Sequence, residues 1–255
     1  MSRTPPRARA IDKPITLSPE EIAFVRTLVI HEDGEVLALN KPPGLSSQGG
    51  RGQVHTLDEL LWAFVKPSGA RPRLVHRLDR DTSGVILTAR SKPAAGFLGK
   101  ALMALRFRKT YLAIVGPGAP DPKQGEITVA LRREEVGYEA YMRACADDHP
   151  DAEPAQTRYR TLAVSPEAAL VELEPVTGRM HQLRVHLASI GRPIAGDVRY
   201  GGALTLAGRA APRLMLHAAR LRFPHPAGGT TIVEAPWPED FATMADAAGL
   251  VVKDR

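Results

Sequence analysis

Asp79 is the residue whose setting most directly suggests chemistry. It lies within His76-Arg77-Leu78-Asp79-Arg80-Asp81-Thr82-Ser83-Gly84, a polar run between the apolar segments Leu74-Val75 and Val85-Ile86-Leu87. A tight, Gly-terminated loop between two expected strands is a common place for a reactive group, because the strands hold it rigidly. A carboxylate there can attack an electrophilic carbon or accept a proton. It can also be a turn Asp whose side chain caps the Thr82 or Ser83 amide, and spacing alone favours that second use.

Three other groups stand out. Tyr111, in Lys109-Thr110-Tyr111, offers a ring for stacking and a hydroxyl for proton transfer, or simply a core aromatic on a strand. Arg184 closes the run Gly178-Arg179-Met180-His181-Gln182-Leu183-Arg184. Its planar fork could hold both oxygens of a carboxylate, and its apolar neighbours Leu183 and Val185 argue against a fully exposed charge. His181 and His186 invite a metal reading, but five residues on a helix is about 140° of rotation, so the two do not share a face. No metal is expected.

Several of these segments together resemble one enzyme family, the RluA-type RNA pseudouridine synthases. The nonapeptide around Asp79 is similar to the family's central signature. Asn40-Lys41-Pro42-Pro43-Gly44-Leu45 resembles its Lys-Pro-x-Gly-Leu element, and Arg108-Lys109-Thr110-Tyr111-Leu112-Ala113 its second catalytic segment. The stretch from Leu173 to His186 resembles the third, followed in family order by Pro193-Ile194-Ala195-Gly196-Asp197 and Leu216-His217-Ala218. The resemblance covers roughly residues 28 to 240.

The resemblance implies a catalytic Asp79, a Tyr111 that stacks on the base, and an Arg184 paired with the Asp79 carboxylate. It implies that Arg77 enters the gap left when the target base is extruded, a step that base-modifying enzymes need. Lys41, Arg80, Lys109, Arg179 and His181 are the further expected RNA-contacting residues, with Lys41 either organising the cleft or touching phosphate. Uridine and pseudouridine are isomers: the N1–C1′ bond breaks and a C5–C1′ bond forms. No cofactor is therefore expected, and the chain carries no dinucleotide or P-loop glycine pattern. The carboxylate could attack the sugar covalently or abstract a sugar proton; the sequence does not choose. Two competing readings are an RNA-binding or ribosome-assembly protein that kept the fold without the activity, and a glycoside hydrolase or nucleosidase. The latter needs a second catalytic carboxylate, and no other acidic residue has comparable context.

Composition sets the outer bounds. The chain has 255 residues, enough for one large domain. Lys plus Arg number 34 against 28 Asp plus Glu, a net +6, which suits a polyanionic partner. Ribosomal or transfer RNA, not DNA, is the expected partner, recognised as a stem-loop. Cys145 is the only cysteine, so an intramolecular disulfide and a Cys-based zinc site are excluded, as suits a reducing cytoplasm. Residues Met1 to Glu20 lack the apolar centre of a secretory signal, and no apolar stretch is long enough to span a bilayer. No heptad segment appears, so a monomer is expected.

The elements that must position these residues follow from local signals. Residues 1–17 read as a flexible basic tail with Arg3, Arg7, Arg9 and Lys13, and 18–255 as the catalytic domain. Ser18-Pro19-Glu20-Glu21 has the form of a capping box with Pro at the first helical position. Asp33-Gly34 predicts a hairpin between Leu28-Val29-Ile30 and Val36 to Leu39. Helices are expected from Thr56 through Val65, from Ser91 to about Leu105, from His181 to Ile190 and from Pro238 to Ala247. Strands are expected at 73–78, 85–89, 110–115, 125–131, 156–161, 169–173 and 214–223. Mixing without strict alternation argues for α+β. The resemblance implies a mixed, mostly antiparallel sheet flanked by helices and loops around a central RNA cleft.

Overall fold

A computed structural model describes residues 14–49, 55–137, 139–201, 205–206 and 208–251. Most of the basic tail, residues 1–13, lies outside them. The chain opens with helix α1 (Pro19–Thr27), followed by β1 (Val29–Glu32), β2 (Val36–Lys41), the short α2 (Leu57–Leu60), β3 (Arg73–Leu74) and β4 (Ser83–Ala89). Helix α3 (Lys92–Met103) leads to β5 (Arg108–Val115), β6 (Gln124–Ile127), β7 (Ala130–Val136), β8 (Glu139–Cys145), β9 (Thr157–Val164) and β10 (Ala169–Pro175). Then come α4 (Gln182–Ser189), the two-residue strands β11 (Thr205–Leu206) and β12 (Arg209–Ala210), β13 (Leu216–Pro224), β14 (Thr230–Glu234) and α5 (Glu239–Ala247).

A ten-stranded sheet forms the frame, in the order β1-β2-β4-β13-β5-β10-β9-β6, with β14 on β13 and β3 on β4. Among the described strands only β13 and β4 pair in parallel, at His217–Ser83 and Ala218–Gly84. The expected mixed, mostly antiparallel α+β architecture is the one observed. β7 and β8 form a separate hairpin.

The sheet is covered on both faces, which explains the continuous apolar runs in β2 and β4. Leu37, Leu39 and Ile86 point into a core shared with Val25 of α1, Leu57 and Leu60 of α2, and Phe241 and Met244 of α5. Val36, Ala38, Val85 and Leu87 point the other way, onto Ala94, Leu98 and Ala101 of α3. Residues two apart on a strand share a face, so each strand contributes to both cores. Burying a Leu or Ile side chain contributes about 1.5–3 kcal/mol, so these two layers fix the frame on which the site is built.

Local signals set most boundaries. Ser18 and Glu21 form the expected capping box at α1. Ser91 accepts the Ala94 amide at the start of α3. Asp33 Oδ1 accepts the amides of Glu35 and Val36 in the first hairpin turn. Three expectations are corrected. The helix after Thr56 has its capping box but runs as an α-helix only to Leu60, then tightens into a 3-10 turn over Leu61–Phe64 before the extended Val65. Lys66 and Pro67 follow, and a residue ahead of proline is pushed out of helical conformation. The strand expected over 125–131 is two strands, β6 and β7, in different sheets.

The strand expected over 73–78 pairs only at Arg73 and Leu74, although the Val75 amide still bonds to the Leu87 carbonyl. His76 explains the break. Its Nε2 accepts the Leu87 amide at 3.1 Å, where a strand carbonyl would otherwise sit, and the backbone is released into the loop that carries Asp79. Burial holds the His76 pKa down to about 3, so the imidazole is neutral and Nε2 remains an acceptor. Gly84 ends the loop within β4 at φ 114°, and a Cβ there would lie 2.2 Å from the Ala218 carbonyl oxygen. Its role is the close parallel approach of β4 to β13, not the tight turn expected from the sequence.

Candidate active site

The loop from His76 to Asp81, the start of β5 and the segment from Pro175 to Arg184 line one cleft of about 840 Å³. A smaller pocket of about 110 Å³ opens at its floor between Asp79, Lys109, Tyr111, His181 and Arg184. The expected catalytic trio therefore converges, although its members are far apart in sequence.

The loop is fastened from below. Ser47 Oγ donates to the Leu78 carbonyl at 2.7 Å and accepts the Leu78 amide at 3.1 Å. Lys41 is fully buried, and its ammonium donates to the carbonyls of Pro42, Leu45 and Arg80 at 2.8–2.9 Å. All three ammonium protons are used, so Lys41 ties the Lys-Pro-Pro-Gly segment to the Asp79 loop. The RNA contact expected of it is corrected: it organises the cleft and has no donor left for phosphate. Burial lowers its pKa to about 7, against the opposing pull of Asp81 and Asp79. Arg80 Nε adds a bond to the Gly44 carbonyl, while the residue stays exposed at the cleft.

The turn use of Asp79 is also settled. Its backbone carbonyl accepts the Thr82 amide at 3.2 Å. Its carboxylate makes no hydrogen bond to any described residue. Oδ2 instead faces two cationic or polar groups at 3.8 Å each, Arg184 Nη1 and His181 Nε2. The side chain is 31% exposed toward the cleft.

The expected Arg184–Asp79 ion pair is present at 3.8 Å, but Arg184 gives its close contacts to a second carboxylate. Its fork engages Asp197: Nε donates to Oδ2 at 2.8 Å and Nη2 to Oδ1 at 2.7 Å. Both side chains are buried, 9% and 1% exposed, and a charge at that depth needs a close bidentate partner. The third nitrogen, Nη1, is the one left over for Asp79. Burial works against the Arg184 charge, yet the Asp197 bonds, with Asp197 and Asp79 nearby, raise its pKa. The guanidinium also lies 4.9 Å over the Tyr200 ring. Asp197 and Tyr200 were not singled out in the sequence as site residues. The signal for Asp197 was present: a buried Arg on an apolar helix needs a buried carboxylate, and Pro193-Ile194-Ala195-Gly196-Asp197 supplies one. Gly196 lets that segment turn against the chain leading into β13: a Cβ there would lie 1.8 Å from the Arg213 carbonyl oxygen.

Tyr111 sits on β5, between Leu173 of β10 and Ala218 of β13, and is buried. Burial first, and the Asp79 charge second, raise its pKa well above the ordinary phenol value. Tyr111 therefore holds its proton near neutrality and offers a ring face and a hydroxyl rather than a phenolate. Lys109 lines both the cleft and the inner pocket, has no hydrogen-bond or ion-pair partner among the described residues, and has its pKa lowered by burial. Arg77 is exposed on the cleft wall. Arg179 reaches the Pro154 carbonyl and Glu153 Oε2, so its charge is partly committed. His186 is structural: its ring nitrogens meet Thr157 Oγ1 and the Val129 carbonyl. His181, expected at the RNA, turns its ring inward between Tyr200 and Asp79.

The profile of the RNA pseudouridylate synthase family matches residues 35–189. The chain belongs to that family. The large-subunit ribosomal pseudouridine synthase C of Escherichia coli K12 is 37% identical over 245 residues, 93% of this chain and 75% of that protein. The protein of the same name from Vibrio vulnificus is 38% identical over 81% of this chain and 64% of its own length. Among solved structures, human RNA pseudouridylate synthase domain containing 4 superposes with a TM-score of 0.77 at 25% identity, covering 91% of this chain and 98% of that one. Human RNA pseudouridylate synthase domain containing 1 gives 0.67 at 29% identity, over 82% and 83%. The synthase isomerises uridine in RNA to pseudouridine, and the match spans both walls of the cleft. Among the described residues, no helix is long and apolar enough to cross a membrane.

Proposed function

We propose that the synthase modifies a stem-loop of large-subunit ribosomal RNA, using Asp79 at the sugar of an extruded uridine. The observation that carries this reading is the state of Asp79: a carboxylate free of hydrogen bonds at the floor of a cleft that Arg77, Arg80, Lys109 and Arg179 also line. A free carboxylate lone pair aimed at a polyanion-sized cleft serves attack at C1′ or removal of a sugar proton. Arg184, locked by Asp197, holds its Nη1 3.8 Å from Asp79 Oδ2. Tyr111 forms the wall against which the flipped uracil stacks, and Lys109 has donors free for the base or its phosphate. Arg77 enters the vacated position in the RNA stack.

The ribosomal assignment rests on relatives named for the large ribosomal subunit that match over most of the chain. Transfer RNA is the other substrate class to be tested. The protein acts as a cytoplasmic monomer, with residues 18–255 as one catalytic domain and the preceding basic residues as an auxiliary RNA tether. A binding-only role is disfavoured, since binding alone does not call for Asp79, Tyr111 and the Arg184–Asp197 pair around one pocket.

Tritium release from RNA labelled at C5 of uridine tests the reading. Ribosomal and transfer RNA from cells lacking the gene are compared, with wild type and Asp79→Asn. Release from the ribosomal fraction by wild type alone is expected. Release by Asp79→Asn removes Asp79 from the mechanism, and release from transfer RNA alone moves the substrate.

A further inference from the structure

His181 is one of two non-glycine described residues with positive φ, at 52°. A left-handed backbone in a residue with a side chain is held only when its surroundings demand it. Here it caps α4 and aims the imidazole into a chain of polar contacts. Nδ1 lies 2.6 Å from Tyr200 Oη, and Nε2 lies 3.8 Å from Asp79 Oδ2. Tyr200 Oη also accepts the Met142 amide of β8 at 3.1 Å. A peptide N–H only donates, so that bond leaves the phenol proton free to be given to Nδ1. With the phenol donating to Nδ1, the neutral ring carries its own proton on Nε2, the nitrogen that faces Asp79.

From this geometry, and given the reading of Asp79 as the reactive carboxylate, we infer that His181 and Tyr200 form a positioning relay that anchors Asp79 by one oxygen. Arg184 Nη1 and His181 Nε2 both approach Oδ2. Oδ1 is therefore the oxygen left to react with the ribose. The two 3.8 Å gaps are about an ångström longer than hydrogen bonds, and catalytic contacts of this kind tighten when substrate fills the site. The charged groups that face His181 are Asp79 from the catalytic loop, Arg184 from α4, and Asp197 and Arg199 from the segment that also carries Tyr200. Burial favours the neutral ring, Asp79 favours the charged one, and Arg184 and Arg199 oppose charging. In either state Nε2 carries a proton toward Asp79. Met142 extends the relay to the β7–β8 hairpin, so the position of that hairpin bears on the carboxylate through Tyr200.

Single-turnover tritium release and RNA affinity, measured on the full chain with RNA from cells lacking the gene, test the relay. A hydrogen bond to a charged group is worth about one to two factors of ten, so His181→Leu should lower the rate constant about 10- to 100-fold with affinity within about threefold. His181→Gln, whose amide N–H falls near the position of Nε2, should recover to within about fivefold of wild type. Tyr200→Phe keeps the ring against Arg184 and should lose about three- to tenfold in the wild-type background and nothing further beside His181→Leu, because on this reading the Tyr200 hydroxyl acts on Asp79 through His181. A wild-type rate for His181→Leu, with Asp79→Asn inactive, overturns the relay and leaves the Asp79 reading standing. Loss of RNA affinity at an unchanged rate makes His181 an RNA contact instead and also overturns it. Turnover by Asp79→Asn overturns the Asp79 reading itself. If His181→Leu does not fold, Tyr200→Phe decides, and an unchanged rate constant in that variant overturns the relay.

Discussion

The two walls of the cleft are built differently. The Asp79 wall hangs from the large sheet by bonds to backbone: Lys41 ties three carbonyls, Ser47 brackets Leu78, and His76 stands in for a strand carbonyl. The facing wall, from Arg179 to Tyr200, is held by side-chain pairs, with Arg184 on Asp197 and His181 on Tyr200. A backbone-anchored loop holds its reactive group in one place. On the proposed reading, the wall of paired side chains closes its 3.8 Å gaps to Asp79 as RNA enters. The site thus places its carboxylate rigidly and leaves adjustment to its cations.

Variants can break this contrast. The largest effect on activity is expected for Asp79→Asn, which should lower turnover by more than about a thousandfold, with RNA affinity within about threefold in a filter-binding assay. On the side-chain wall, Arg184→Ala should strand the buried Asp197 and cost about 3–5 kcal/mol in chemical denaturation, together with activity. Asp197→Asn should cost less stability but also slow turnover, because the fork is no longer fixed. If Asp197→Asn leaves the rate untouched, the Asp79–Arg184 contact does not depend on that pair. On the backbone wall, Lys41→Met should leave three carbonyls without a donor, cost about 2–4 kcal/mol and slow turnover through misplacement of the loop. A purely affinity-based defect in Lys41→Met would return it to the RNA-contacting group.

Acid should weaken the backbone wall. Burial lowers the folded-state pKa of His76 to about 3 and of His217 to about 4, both below the ordinary histidine value of 6.5. The unfolded chain therefore binds more protons below pH 6.5, and stability is full above that pH and lost as pH falls toward 4 and 3. Urea midpoints measured from pH 7 to pH 4 should fall by a few kcal/mol in equivalent stability. His217→Gln should flatten the slope; a slope unchanged in that variant would place its origin elsewhere. The smallest effect is expected from Arg77→Ala: a weaker complex whose salt dependence is shallower by about one unit on a log–log plot, if Arg77 meets phosphate as well as the stack.

Local signals in the sequence located most of the fold. Capping boxes at Ser18 and Thr56, the Ser91 cap and Asp33-Gly34 all act where expected, because each depends on residues within four positions. The misses share a different cause. β3 stops early because the His76 side chain substitutes for backbone across eleven residues, and 125–131 divides because its two halves find different sheets. Neither event leaves a local mark.

By itself the sequence, through its resemblance to the synthase family, marked the side chains proposed to carry the chemistry: the loop with Asp79, the Lys109-Thr110-Tyr111 segment and the run ending at Arg184. Only the tertiary structure decided who pairs with whom. Arg184 could have been given wholly to Asp79, but at its depth the nearer, fully buried Asp197 takes the fork. Lys41 could have faced RNA, but three carbonyls surround it. A partner's identity depends on distance and burial, and both arise only on folding: Asp197 is 13 residues from Arg184, and the Arg80 carbonyl 39 from Lys41.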